Sequence, residues 1–373
     1  MPVIIQKFGG NLLETPEHIK RAAAYIIRTK IAGEDPVVVV SAPGSTTDRF
    51  LELAQQVADK PDEREIDMLL SVGERTAMAL LAMAINADGR YRAVSFTGSQ
   101  VGIITDTKHT DARIIEVKCL RIREALEQNK IPIVAGFQGV STDKEITTLG
   151  RGGSDATAVA IASALNADRC ELIKESGAIC SADPRLIPEA VPLVEIDYDA
   201  LEALSSAGAV VVQPHAASLA KEHNVRLNIT GVENQRGTLI SDRCMEINKV
   251  VSVVLNEELL FIRNDSSYLP VNTFRRIHFA VLDDKQMFLV TRDRNNLDAS
   301  NTVSLVTIIF SSGGIEGTVF EIIMDAIAEA VIKPIYITAT GRNLSILVEQ
   351  AWGKKALQVI HSCCLKKGFI KTL

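Results

Sequence analysis

Three short apolar runs constrain this chain more than any other feature: VIIQKF from Val3, DPVVVV from Asp35 and IPIVAGFQGV from Ile131. The first ends in Gly9-Gly10 and the second in the small-residue loop SAPG. A strand that is apolar without interruption has to be covered on both faces, as in a parallel sheet between helical layers. Helix-period patterns lie between the runs: Pro16 to about Ala32, EIDMLLSVGERTAMALLAMAINA, CLRIREALEQNK and SDATAVAIASALNA. YRAVSFTGSQVGIIT reads as strand, loop, strand, and IPIVAGFQGV as one strand. The alternation to about residue 240 predicts an αβα sandwich with a mainly parallel sheet.

The pattern changes after the polar linker ENQRGTLISDRCMEIN. From Lys249 strands dominate, in VVSVVLNEELLFIRN, IHFAVLDDKQMFLVTRD and VSLVTIIFSS. The helix GTVFEIIMDAIAEAVI, the strands PIYITATG and NLSILVEQ, and the helix AWGKKALQVIHSCCLKK follow. The order from Val303 predicts a βαββα unit of α+β type, with the boundary near residue 240. Over all 373 residues, 47% hydrophobic and 23% charged content is that of a globular protein in two to three domains.

Several function classes are disfavoured. A net charge of −6 supplies no basic field for a nucleic acid, and a single Trp supplies no stacking platform. The six cysteines form no CxxC pair and have no zinc spacing, so free thiols and no metal site are expected. No uninterrupted apolar run reaches about 18 residues, so no membrane span is expected. MPVIIQKFGG starts as a strand rather than a signal peptide, which predicts a cytoplasmic chain.

Four segments carry candidate chemistry. Lys7 precedes Gly9-Gly10, where bare backbone N–H groups can approach phosphate oxygens and the lysine adds a mobile charge; a plain turn is the competing reading. TTLGRGGSDATA sets Arg151 among three glycines and places Ser154-Asp155 at a helix start, as an anion site or simply as a cap. SAPGSTTD offers hydroxyls at Ser41, Thr46 and Thr47, and SVGER puts Glu74 where it can take an amine. KESGAICSADPR follows a strand, where open α/β sheets hold ligands or simply turn. His109 reads as a mobile loop histidine, His215 as structural, and His361 as a residue of the last helix.

In order, KFGG, VVVVSAPGSTTD, SVGER, FTGSQVGIIT, GFQGV, TTLGRGGSDATA and SADPR resemble the aspartate kinase branch of the amino-acid kinase family. The resemblance implies a kinase domain (1–240), a truncated first ACT-like unit (249–302) and an ACT domain (303–373) that pairs in a homodimer. It implies phosphoryl transfer from ATP, with Mg²⁺, to the β-carboxylate of aspartate, which is chiefly positioning and charge neutralisation. By the same resemblance Lys7 and Asp155 are catalytic, Asp155 organising lysines around the transferred phosphoryl group and Lys7 being the first of them. Ser41, Thr47, Glu74, Phe137 and Arg151 hold the amino acid, with Glu74 reading its ammonium and Arg151 its α-carboxylate. Gly9, Gly10, Gly152, Gly153, Lys174, Glu175 and Arg185 face the nucleotide.

The nucleotide side departs from the family pattern. Asn11-Leu12 stand where the family has Thr-Ser, Lys174 to Cys180 replace its adenosine turn, and Val210 stands in place of a lysine. Losing one preorganised cation from such a site costs about 10²–10⁵ in rate. Lys174 is the basic group available to substitute. The alternatives are an aspartate-binding pseudo-kinase or regulatory subunit, and a repurposed aspartate-using enzyme with an altered nucleotide pocket.

Overall fold

The computed structural model describes residues 1–209, 211–233, 237–242, 249–264, 277–283, 286–291 and 301–370. It contains two compact units. The first is Met1–Ile179, Val194–Leu201 and Val211–Arg243; the second is Cys180–Leu193, Glu202–Val210 and Cys244–Leu373.

The strands of the first unit are β1 (Val3–Phe8), β2 (Asp35–Val40), β3 (Ala93–Phe96), β4 (Ile103–Thr105), β5 (Ile114–Val117), β6 (Ile131–Ala135), β7 (Gln138–Ser141), β8 (Ile146–Thr148), β9 (Arg169–Ile173), β10 (Glu195–Asp197), β11 (Leu227–Thr230) and β12 (Thr238–Ser241). Its helices are α1 (Pro16–Ile31), α2 (Thr46–Val57), α3 (Glu63–Asp88), α4 (Gly98–Val101), α5 (Leu120–Glu127), α6 (Gly153–Leu165), the start of α7 (Tyr198–Ser206) and α8 (Pro214–Glu222). The main sheet runs β10-β12-β11-β9-β1-β2-β6-β3, and β5-β4-β7-β8 form a smaller one. In the main sheet β1 pairs in parallel with β2 and β9, β6 with β2 and β3, and β9 with β11; β11 and β12 are antiparallel. Val37 to Val40 are fully buried, as their unbroken apolar run requires.

Helix ends follow local chemistry. Thr15 caps α1 by accepting from His18 N, Pro16 opens it, and Arg28 and Lys30 lie in its last turn. Asp62 caps α3 by accepting from Arg64 N and Glu65 N, and Gly89 ends it in the left-handed region. By length and composition alone α3 is long and apolar enough to cross a membrane, although Asp67, Glu74 and Arg75 interrupt its apolar run. Yet Ala77, Leu81, Ala82 and Ile85 sit in one core cluster with Phe8, Ile26 and Val38, which is the packing of a core helix.

IPIVAGFQGV is not one strand. It breaks into β6 and β7 at Gly136-Phe137, where Phe137 takes φ 65°. The break is held by Phe137 N donating to Thr157 Oγ1 and by Leu149 N donating to the Phe137 carbonyl. Apolar periodicity carries no information about that single left-handed residue.

The second unit contains β13 (Val250–Asn264), β14 (Ile277–Asp283), β15 (Gln286–Thr291), β16 (Asn301–Phe310), α9 (Gly317–Glu329), β17 (Tyr336–Thr340), β18 (Asn343–Glu349) and α10 (Gly353–Lys366). Its antiparallel sheet runs β14-β15-β13-β16-β18-β17. Val319, Ile323 and Ile327 of α9 and Leu357 and Ile360 of α10 pack with Val306, Ile308, Leu344 and Ile346 of the sheet. This α+β layer is the expected class. His361 is buried here, its Nε2 2.9 Å from Ser181 Oγ, and burial lowers its pKa.

Candidate functional site

Parallel pairing brings distant loops to one edge of the main sheet. Phe8 lies opposite both Val40 and Ile173, and Val40 opposite Ala135. The chain therefore leaves β1, β2, β6 and β9 side by side at Gly9-Gly10, Ser41, Gly136-Phe137 and Lys174. Strand order also reverses there, with β2, β6 and β3 on one side of β1 and β9 and β11 on the other. Open α/β sheets hold ligands outside the carboxyl ends of their strands at such a switch.

At that edge two lysines share one buried carboxylate. Lys7 Nζ is 2.7 Å from Asp155 Oδ1, and Lys174 Nζ is 3.3 Å from Asp155 Oδ2. Lys174 Nζ also donates to the Val211 carbonyl. Burial opposes the charge of Asp155, but the ammoniums of Lys174 and Lys7 outweigh it and hold the carboxyl down at about 2. Lys174 is pulled below the usual lysine range, first by burial and also by Lys7, against the pull of Asp155. Asp155 is not the cap of α6. Gly152 holds the N-cap position, Gly153 and Ser154 follow, and the Asp155 side chain is spent on the lysines.

Glu74 stands on α3 and is 3% exposed. Its Oε1 accepts from Ala42 N at 3.1 Å, while Oε2 is buried with no hydrogen-bond partner among the described residues. Burial raises the carboxyl to about 7, against the lowering effects of backbone donors and of the Lys7 charge. A buried carboxyl oxygen left unpaired is costly, and a donor brought by a ligand can satisfy it.

The remaining nominated residues divide. Gly10 lies against the 41–44 loop: a Cβ there would come within 2.4 Å of the Ala42 carbonyl, and Gly44 N donates to Gly10 O. Gly9 N is used by the Ile173 carbonyl. Ser41 is half-buried just after β2, and Thr47 half-buried in the first turn of α2. Gly152 takes φ 78°, and a Cβ would meet Gln213 Cγ at 2.1 Å. Gly153 packs closely on Phe137 and Leu149. Arg151 is exposed between β8 and α6, with no ion pair among the described residues. Glu175 is exposed and accepts from Asn11 Nδ2 at 3.3 Å, so two of the departures from the family pattern bond to each other. Leu12 packs against the first unit's core. Arg185 and Cys180 belong to the second unit, where Arg185 forks onto Asp183. Val210 lies outside the described residues.

Reading the sequence missed one group. Asp67 on α3 is fully buried and is bonded by His109, Thr110 and Thr148. His109 is therefore anchored rather than mobile. The available signal was the seven-residue spacing from Glu74, which places both carboxylates on one side of α3.

The arrangement suits a small ligand carrying an ammonium beside a polyphosphate. Among the described residues no three His, Cys, Asp or Glu side chains converge as metal ligands. A separate polar cleft of about 470 Å³, lined by Asp168, Tyr198 and Arg226 among others, opens at the amino ends of β9 and β11 and holds none of the nominated residues.

A family model described as "Amino acid kinase family" matches residues 2–231. The aspartokinase of Geobacillus stearothermophilus is 45% identical over 260 residues, 69% of this chain and 64% of that protein. That of Corynebacterium glutamicum is 47% identical over 249 residues, 66% of this chain and 59% of that protein. The chain thus spans less than two thirds of the length of these relatives. The structure is similar to aspartate kinase from Synechocystis, with TM-score 0.58 at 28% identity over 99% of this chain and 70% of that one. E. coli aspartokinase III in complex with aspartate and ADP shares the fold, with TM-score 0.79 at 19% identity over 97% of this chain and 99% of that one.

Proposed function

The chain belongs to the amino acid kinase family, and from that membership we propose that it transfers the γ-phosphoryl group of ATP to the β-carboxylate of L-aspartate. The observation that carries the reading is the pairing of two features at one sheet edge: the open Glu74 oxygen and the Lys7–Asp155–Lys174 cluster. The high identity to proteins named aspartokinase supports the choice of substrate.

The chemistry needs little from the protein beyond charge and position. Aspartate's side chain is already ionised at neutral pH, so no general base is required. One β-carboxylate oxygen bonds to the γ-phosphorus, the bond from that phosphorus to the β,γ-bridging oxygen breaks, and ADP leaves with the electron pair. The products are ADP and an acyl phosphate. Lys7 and Lys174 neutralise the charge spread over the transferred group, and Asp155 holds the two ammoniums apart and in place. Glu74 binds the ammonium of aspartate, Arg151 its α-carboxylate, and Ser41, Thr47 and Phe137 line the pocket. Gly9, Gly10, Gly152, Gly153 and Glu175 border the nucleotide. Mg²⁺ would come with the nucleotide and would offset part of the phosphate charge beside Lys7 and Lys174.

The pseudo-kinase and repurposed-enzyme alternatives, which rest on the altered nucleotide side, are not favoured. The Lys174 substitution brings a cation to Asp155 instead of removing one. ADP release that requires L-aspartate, and fails with succinate, which lacks the ammonium, is the expected assay result. Equal release without any amino acid would refute the reading.

A further inference from the structure

Two turns before Glu74 on the same side of α3, Asp67 is fully buried, and among the described residues its side chain bonds to Thr148 and to His109 and Thr110. Thr148, the last residue of β8, donates its hydroxyl to Asp67 Oδ1. The chain then passes through Leu149 and Gly150 directly into Arg151. Thr110 N donates to both carboxylate oxygens, at 3.1 and 3.2 Å. His109 Nδ1 lies 2.6 Å from Oδ2, and since a carboxylate only accepts, the ring proton is assigned to Nδ1.

The 106–113 loop is in turn seated on the Arg151 turn. Ala112 N donates to the Thr148 carbonyl, and Gly150, at φ 69°, packs so closely that a Cβ would lie 3.1 Å from Asp111 Oδ1 and 3.4 Å from the Thr110 carbonyl. Leu149 N is held by the Phe137 carbonyl. Arg151 itself is exposed and has no ion pair among the described residues, so the point from which its side chain reaches out is set by this anchored backbone.

We propose that Asp67 is a positioning residue. It fixes the Arg151 turn to α3, the helix that carries Glu74, and so sets the spacing between the group that takes the substrate's α-carboxylate and the group that takes its ammonium. Asp67 touches no substrate; it acts through Thr148 and the 106–113 loop. The assignment of substrate groups rests on the function proposed above, whereas the anchoring of the turn does not.

Thr148 allows a test without a buried charge being altered. Thr148→Val keeps the shape and removes the donated hydroxyl; Thr148→Ser restores it. Asp67→Asn replaces an accepting oxygen with a donating NH₂ group facing donors. In the ligand-free protein, backbone amides of residues 106–113 and 148–153 exchange faster in Thr148→Val and Asp67→Asn, while amides of β1 and β2 exchange as in the wild type. In turnover, both variants raise KM for aspartate at least about tenfold, the equivalent of ~1.4 kcal/mol, with KM for ATP unchanged and kcat lowered less. Thr148→Ser returns both readouts towards wild type. Unchanged exchange in the Arg151 turn would overturn the anchoring, and equal rises in the two KM values would overturn the selective role. A wild type that exchanges as described but never uses aspartate would instead refute the function proposed above.

Discussion

Glu74 carries the sharpest pH dependence in the site. Burial raises its carboxyl to about 7, so below that pH the empty site holds a neutral acid that cannot pair with an ammonium. Aspartate affinity therefore rises with pH through 7, and KM for aspartate falls roughly tenfold from pH 6 to pH 8. Glu74→Gln should flatten that profile, and a profile that survives the substitution would show that another group titrates. The same shift acts on stability with the opposite sign. The unfolded chain releases this proton first, so the ligand-free fold loses stability as pH rises from the ordinary glutamate value through about 7. Lys174 makes the second test at this scale. Replacing it with Met leaves Asp155 with Lys7 alone, and kcat should fall by about 10²–10³. A variant with wild-type kcat would remove Lys174 from the phosphoryl site.

The elements set these residues through a few close approaches. Gly152 joins β8 to α6 in the left-handed region, and a side chain there would collide with Gln213. Gly33 shares the left-handed geometry at φ 88° but faces open space at the end of α1. Each Gly→Ala change costs about 1–2 kcal/mol of backbone strain. Only Gly152→Ala should also weaken aspartate use, because only it displaces the Arg151 turn. Equal activity losses in the two variants, measured alongside thermal unfolding, would contradict that reading. The strands and helices themselves were legible, because VVVV and the period of EIDMLLSVGERTAMALLAMAINA each reflect burial that repeats along the chain. The break at Phe137 and the Asp67 anchor were not, and the place of Asp155 among lysines came from the family resemblance rather than from local pattern. Each depends on partners far away in sequence, and local pattern does not carry such partners.

At the scale of the whole molecule, the α/β first unit and the α+β second unit were both evident from the change of pattern after the polar linker. Their discontinuity was not. Cys180–Leu193 and Glu202–Val210 cluster with the C-terminal elements although they lie between strands of the main sheet in the chain. Ser181, for example, bonds to His361, and that pairing across the chain leaves no trace in composition. KESGAICSADPR is thus divided: Lys174 to Ile179 stay with the unit that holds the Lys7–Asp155 pair, while Cys180 to Arg185 belong to the other unit. The altered half of the motif is the half that supplies a cation. The central claim is the formation of an acyl phosphate on aspartate, and hydroxylamine traps such a product directly. Protein incubated with L-aspartate, MgATP and hydroxylamine should yield β-aspartyl hydroxamate, one per ADP released and none when either substrate is omitted. Folded protein that binds both substrates yet gives no hydroxamate would contradict the account.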